Sequence, residues 1–158
     1  MPLISNNDLV NARRIAASAA DLGRAAIEFR SALKSVLDRA DASSNGIVFT
    51  IVDSRTDVVL NFGLSTVHGQ VEALFDHVMK DSVLLGRYRF FTVEKDATGK
   101  DVAEEVWAML FNSNCAATWD LEGDFEWYFG DQDPSTPQMI GTFLLMLLAM
   151  LQDKLQRA

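Results

Sequence analysis

The sequence is poor in the residues from which most sites are built: 158 residues hold one cysteine, two histidines and three prolines. The lone Cys115 excludes an internal disulfide framework and any zinc site built from cysteines. With no secretory signal at the N-terminus, it also leads us to expect a reducing, cytoplasmic setting. Basic side chains are scarce, 14 Lys and Arg against 22 Asp and Glu, for a net charge of −8 and a pI near 4.6. That balance argues against nucleic acid and anionic membrane as partners, because both recruit dense positive charge. The scarcity is sharpest between Asp101 and Asp133, where nine acids stand without one Lys or Arg. Long hydrophobic runs are also missing, apart from Met139–Leu151. Thirteen helical residues span roughly 20 Å against a hydrocarbon core of ~30 Å, so no membrane span is expected.

What is present is ordinary globular material, 49% apolar and 23% charged, and the length suits one domain over residues 1–158. Ile15, Ala19, Leu22, Ala26, Phe29, Leu33 and Val36 follow a 4-3-4-3-4-3 spacing, which predicts a long helix from Asp8 to about Ala40 with one apolar stripe. Ser5 to Asp8 can cap its start, and the polar run 41–46 ends it. Ile47–Val52 and Asp57–Phe62 read as strands around a turn at 53–56. Val67, Val71, Leu74, Phe75, Val78 and Met79 step at helical intervals and predict a short helix. Leu84–Val93 reads as a strand, with Tyr88 and Phe90 on one face and Arg87, Arg89 and Phe91 on the other. Asp101 to Asn112 reads as a further helix, with Val102, Val106, Met109 and Leu110 on its apolar face.

Period-two alternation then marks a hairpin: Ala117, Trp119 and Leu121, a turn at Glu122-Gly123, then Phe125, Trp127 and Phe129. Its wet face carries Asp120, Asp124 and Glu126, and together with Glu122, Asp131 and Asp133 they form the candidate acidic surface. A last helix from about Thr136 to Gln156 is apolar on nearly every side. Such a helix must bury nearly every side, against the sheet and first helix or against a second subunit. The expected fold is α+β, an antiparallel sheet of about five strands with a long N-terminal helix and an apolar C-terminal helix, in the order α-β-β-(α)-β-α-β-β-α.

Candidate chemistry is thin. His68 and His77 are nine apart, unlike the spacing of three or four that pairs metal ligands on a helix. Cys115 has no His or cation near it in sequence and reads as a small hydrophobe. Asp120, Glu122, Asp124 and Glu126 suggest calcium, yet Phe125 and Asp131 stand where an EF-hand loop needs Gly and Glu. Thr98-Gly99-Lys100 lacks the upstream glycine of a phosphate-cradling loop. Trp107, Trp119 and Trp127 read as core or interface anchors. No catalytic residue, metal or cofactor is expected.

The order of elements resembles that of the small acidic class I chaperones of bacterial type III secretion, most of all from Val102 to Leu155. There a helix closing on Met109-Leu110-Phe111-Asn112 precedes a Gly-turned hairpin and a leucine-rich terminal helix. The broad-specificity, export-control chaperones of plant pathogens are the nearest subgroup. The resemblance implies a non-catalytic cytoplasmic homodimer that holds the extended N-terminal segment of secreted effectors and hands it to the secretion machinery. It implies effector binding over the first helix and first three strands, with Ile47, Phe49, Ile51, Val58, Leu60, Phe62, Phe90 and Phe91 as apolar candidates, about half of which alternation sends to the core. It implies a dimer contact at Val102, Val106, Trp107, Leu110 and Trp119.

Two other classes fit the same residues. A small acidic inhibitor, an immunity or anti-defence protein, would cover a basic site on its partner with the carboxylate-rich hairpin. A sensor domain of the profilin-like or roadblock kind would bind a small ligand or a GTPase, but leaves the helix at 101–112 surplus.

Overall fold

The computed structural model describes residues 4–39, 45–50 and 60–155. It is an α+β structure: helix α1 (Asn6–Leu37), strands β1 (Val48–Thr50), β2 (Phe62–Thr66), β3 (Gly69–Lys80), β4 (Val83–Lys95), β5 (Asp101–Phe111), β6 (Ala116–Ala117) and β7 (Trp127–Tyr128), then helix α2 (Thr136–Asp153). The strands form one antiparallel meander in chain order, β1 to β7. No helix among the described residues is long and apolar enough to cross a membrane.

Helix α1 starts where Ser5 Oγ accepts from Asp8 N at 3.1 Å and the Asp8 carboxylate accepts from Ser5 N at 2.9 Å, a reciprocal capping box. Leu22, Ala26, Phe29, Leu33 and Val36 of the apolar stripe are buried, and Ala25 joins them. Phe29 sits at the centre of the core. Its ring lies 5.1 Å from Phe129, 5.3 Å from Phe143, 5.4 Å from Tyr88, 6.2 Å from Phe62 and 6.3 Å from Trp127. One helical residue thus ties α1 to α2 and to strands at both halves of the sheet.

Two expected helices are strands. The segment expected to be helical over 67–79 is a turn at Val67–His68 and then β3, in register with β4 from Val71↔Thr92 to Lys80↔Val83. Its apolar residues also satisfy an alternation, Val71, Ala73 and Phe75, and Gly69 at φ +116 permits the tight turn from β2. The segment expected to be helical over 101–112 is β5, paired with β4 from Gly86↔Phe111 to Lys95↔Asp101 with a bulge at Phe90/Phe91. Val106–Phe111 is buried on both faces, and such a continuous apolar run does not distinguish helix from strand by periodicity. Pairing with β4 decides it. Among the described residues the sheet therefore has seven strands rather than about five, and both interior helices are absent from the order of elements. β2 begins at Phe62, where the second strand was expected to end.

Gly86 shows how closely β4 and β5 pack. A Cβ there would fall 2.3 Å from Cζ of Phe111, whose ring lies across the glycine. Both helices cover this inner face, where Phe62, Leu64, Val71, Tyr88, Phe90, Trp107 and Met109 form one core with them. On the opposite face, Leu85, Ala108 and Leu110 are buried outside that core. Helix α2 buries Ile140, Phe143, Leu144, Leu147, Leu148 and Leu151 within the single chain and leaves Leu145 exposed.

Candidate functional site

The acidic surface is an anchored loop, 119–126, and not the tip of a long hairpin. Thr118 fixes its start: its hydroxyl accepts from Leu110 N at 3.0 Å and donates to the Asp120 carbonyl at 2.5 Å. Two indoles hold the loop to the body, Trp107 Nε1 donating to the Trp119 carbonyl at 2.6 Å and Trp127 Nε1 to the Thr118 carbonyl at 3.1 Å. The Trp119 and Trp127 rings stack at 4.8 Å. Asp120 Oδ1 then accepts from the backbone N–H of Glu122 and Gly123 at 3.0 and 2.5 Å. That side-chain turn takes amides a ladder would otherwise use, which shortens the hairpin to β6 and β7. Leu121 and Phe125, expected on the buried face, are 38% and 43% exposed as a result.

Around those two apolar side chains Asp120, Glu122, Asp124 and Glu126 are exposed, with Asp131 exposed and Asp133 half-buried nearer α2. Among the described residues Lys80 is the cation that meets the loop, donating to the Leu121 carbonyl at 2.9 Å and to no carboxylate of the loop. Phe125 lines two shallow cavities of about 320 and 250 Å³, one with Trp127, Tyr128 and Met139, the other with Leu85, Leu110 and Val83.

A second region lies along α1. Glu28 accepts the Cys115 thiol at 3.0 Å on one carboxylate oxygen and Asp131 N at 3.1 Å on the other, so α1 clamps the β5–β6 turn and the loop before α2. These donors hold the Glu28 carboxyl below its ordinary value, and a side-chain hydrogen bond with Glu28, followed by its charge, holds that of Asp131 above. Burial, with Glu28 beside it, pushes the Cys115 thiol up to about 12, which keeps it protonated and unreactive. Next to the clamp is a cavity of about 530 Å³ lined by Ile27, Glu28, Val36, Asp133 and Pro134. Across the exposed Ile27 a further groove of about 350 Å³ is lined by Arg30, Ser31, Lys34 and Phe49, with Arg30 over the Phe49 ring at 5.7 Å.

The residues named from the sequence scatter over these regions. Ile47, Phe62 and Phe90 are buried in the core. Phe49 and Leu60 are partly buried against it, and Leu60 also gives its carbonyl to the Tyr88 hydroxyl at 2.7 Å. Phe91 lies on the opposite face of the sheet, beneath Arg89. Ile51 and Val58 fall outside the described residues, as does the turn at 53–56. Val102, Val106, Trp107 and Leu110 sit on strand β5, so the helical stripe that would have joined them does not exist. Val102 is exposed, Trp107 stacks on Phe143 in the core, and Leu110 is buried on the other face of the sheet. Trp119 is half-buried against Trp127. The two histidines belong to no helix: His68, in the β2–β3 turn, meets Gln152 at 3.2 Å, and His77, on β3, meets the Phe75 ring.

The sequence reading missed Glu28 as a clamp, and missed the charged cluster on β3 and β4 in which Asp76 binds Arg87 through both oxygens at 2.9 and 2.5 Å and Arg89 at 3.5 Å. The alternation of Arg87 and Arg89 was visible, but Asp76 could not be placed opposite them while its segment was read as helical. Among the described residues no group of three or more His, Cys, Asp and Glu is arranged to hold a metal ion. Compared with family models, with curated proteins and with solved structures, the chain matches none.

Proposed function

We propose that this chain is a non-catalytic protein-binding domain that covers a basic site on a partner with its 119–126 loop. The observation that carries this reading is the loop itself: four exposed carboxylates around exposed Leu121 and Phe125, held in place by two tryptophan indoles. Carboxylates supply steering and specificity toward Lys and Arg, and the two apolar side chains supply desolvated contact at the centre. The class this supports is the small acidic inhibitor. In the test, the wild-type chain and a D120N/E122Q/D124N/E126Q variant are immobilised and exposed to extract of the source cells, with bound proteins identified by mass. A basic protein retained by the wild type alone, and released as salt rises, is the expected result. An identical set retained by both chains would overturn the reading.

A second reading is a cytoplasmic chaperone that binds the extended N-terminal segment of secreted effectors for type III export. The groove at Ile27, Arg30, Lys34 and Phe49 supports it, because it lies beside β1, an end strand of the described sheet. An extended peptide gains affinity by adding to a sheet edge while alternate side chains enter a groove. Phe49→Asp should then abolish retention of an extended client segment at any salt concentration, and unchanged retention by the folded variant removes Phe49 from the groove.

A further inference from the structure

Ile27, Arg30, Ser31 and Lys34 recur at helical spacing on one side of α1 and, with Phe49 of β1, line the cavity of about 350 Å³. The Phe49 ring is held from below, stacked on the buried Phe62 ring at 5.5 Å, and the Arg30 guanidinium lies 5.7 Å from its centre. The walls are thus an isoleucine, an aromatic ring and two aliphatic stems. The polar groups are two cations and a hydroxyl, and no acid stands among the described lining residues. The charges around Arg30 on α1 are matched. Arg24 pairs with Asp21, Lys34 pairs with Asp38 at 3.4 Å, and Glu28 spends both oxygens on Cys115 and Asp131. Arg30 makes no hydrogen bond and no ion pair with any described residue. Its Nε is buried without an acceptor, so the N–H groups left for a ligand are the terminal ones of the fork.

We propose that this cavity binds a small carboxylate with an apolar body, its carboxylate on Arg30 and its body against Ile27 and Phe49. A guanidinium presents a planar fork that matches either a carboxylate or a phosphate. Charge selects the carboxylate. One unmatched cation in an apolar cavity neutralises a monoanion and leaves the second charge of a phosphate buried and unpaired. A chain of net charge −8 also repels the more highly charged ion more strongly. The volume is near the low end of the ~300–1,000 Å³ range of ligand pockets, which suits one head group and a short body. The inference goes beyond both functional readings above and is independent of the 119–126 loop. In the second reading the same cavity takes a peptide, and the experiment separates the two occupants.

The test is a titration of the nitrogen-15-labelled full chain with octanoate, followed by amide NMR, with far-UV circular dichroism as the control for folding. Octanoate should move the amides of Ile27, Ser31 and Phe49 saturably. On the wild type, octylammonium and 1-octanol should bind tenfold or more weakly than octanoate, since they keep the body and lose the anion. Arg30→Gln should raise the octanoate dissociation constant tenfold or more, and Arg30→Lys by less. Lys95→Gln, which removes a cation paired with Asp101 far from the cavity, should change nothing. Absence of saturable shifts at the cavity overturns the inference, as does equal binding of octylammonium or octanol, a comparison that needs no variant to fold. Unchanged affinity in a folded Arg30→Gln chain also overturns it. So does an extended acidic peptide that shifts these amides where octanoate does not, which would assign the cavity to a chain.

Discussion

Helices α1 and α2 pack on the same face of one sheet and meet at Phe29 and Phe143, yet they use that contact in opposite ways. The 18 residues of α2 bury seven side chains, and the 32 residues of α1 bury six, all from Leu22 onward. The first four turns of α1 leave the body with Leu9 52% and Val10 65% exposed. A helix without tertiary packing depends on local terms, its caps and its propensity, and α1 carries a capping box, an acid in its first turn and many alanines. α2 has no side-chain cap at its start and rests on burial. Helix length therefore says little about how much a helix contributes; what decides it is which turns reach the core.

The comparison predicts a gradient of effects. Phe29→Ala should cost about 3–5 kcal/mol in urea unfolding, since that ring touches five others, and Leu147→Ala about 2–5 kcal/mol. Leu9→Ala should fall within ~0.5 kcal/mol of the wild type, and an equal loss at both ends would erase the distinction. Gly86→Ala comes next, at about 1–3 kcal/mol, because the added methyl collides with the Phe111 ring under the helices. A neutral result would mean that the ring can turn aside.

The Glu28 clamp sharpens the comparison at a point where a polar side chain holds α1 to the loops beneath it. Its folded pKa lies below the unfolded value near 4.5, so its contribution is full above that pH and is lost as pH falls through the folded value. Asp131, whose pKa is raised, works in the opposite sense. Glu28→Gln should therefore be less stable than the wild type at neutral pH and should lose less on acidification. Urea midpoints at about pH 7 and about pH 3.5 would show a smaller difference for the variant, and parallel losses would remove Glu28 from the acid response. The smallest effect is expected from Ser5→Ala. It removes the cap but reaches only the projecting turns, so amide exchange should rise over residues 6–10 while the global midpoint moves by less than ~1 kcal/mol.

Helix α1 was legible because its stripe repeats over six turns, and β4 because Tyr88 and Phe90 alternate with Arg87 and Arg89. β3 and β5 were not, for a shared reason. Val71, Leu74, Phe75 and Val78 satisfy a helical spacing while Val71, Ala73 and Phe75 satisfy an alternation in the same segment, and Val106–Phe111 is apolar at every position. In the acidic region the carboxylates were legible, but the role of the tryptophans was not. Trp107, Trp119 and Trp127 looked like core or interface anchors, whereas two of their indoles also hold the loop by donating to its carbonyls.

Composition and periodicity alone determined that this chain is a single-cysteine, acidic α+β domain, begun by a capped amphipathic helix and closed by an apolar one. Those properties are local: they depend on residue type, on spacing within a few turns, and on charge. Tertiary structure decided that the two interior segments are strands, that α2 is covered within one chain, and that Leu121 and Phe125 stand out among carboxylates. Each of these depends on a partner far away in sequence, Phe111 across Gly86, Phe29 against Phe143, Trp107 on the carbonyl of Trp119. A contact of that kind leaves no period in the chain that makes it.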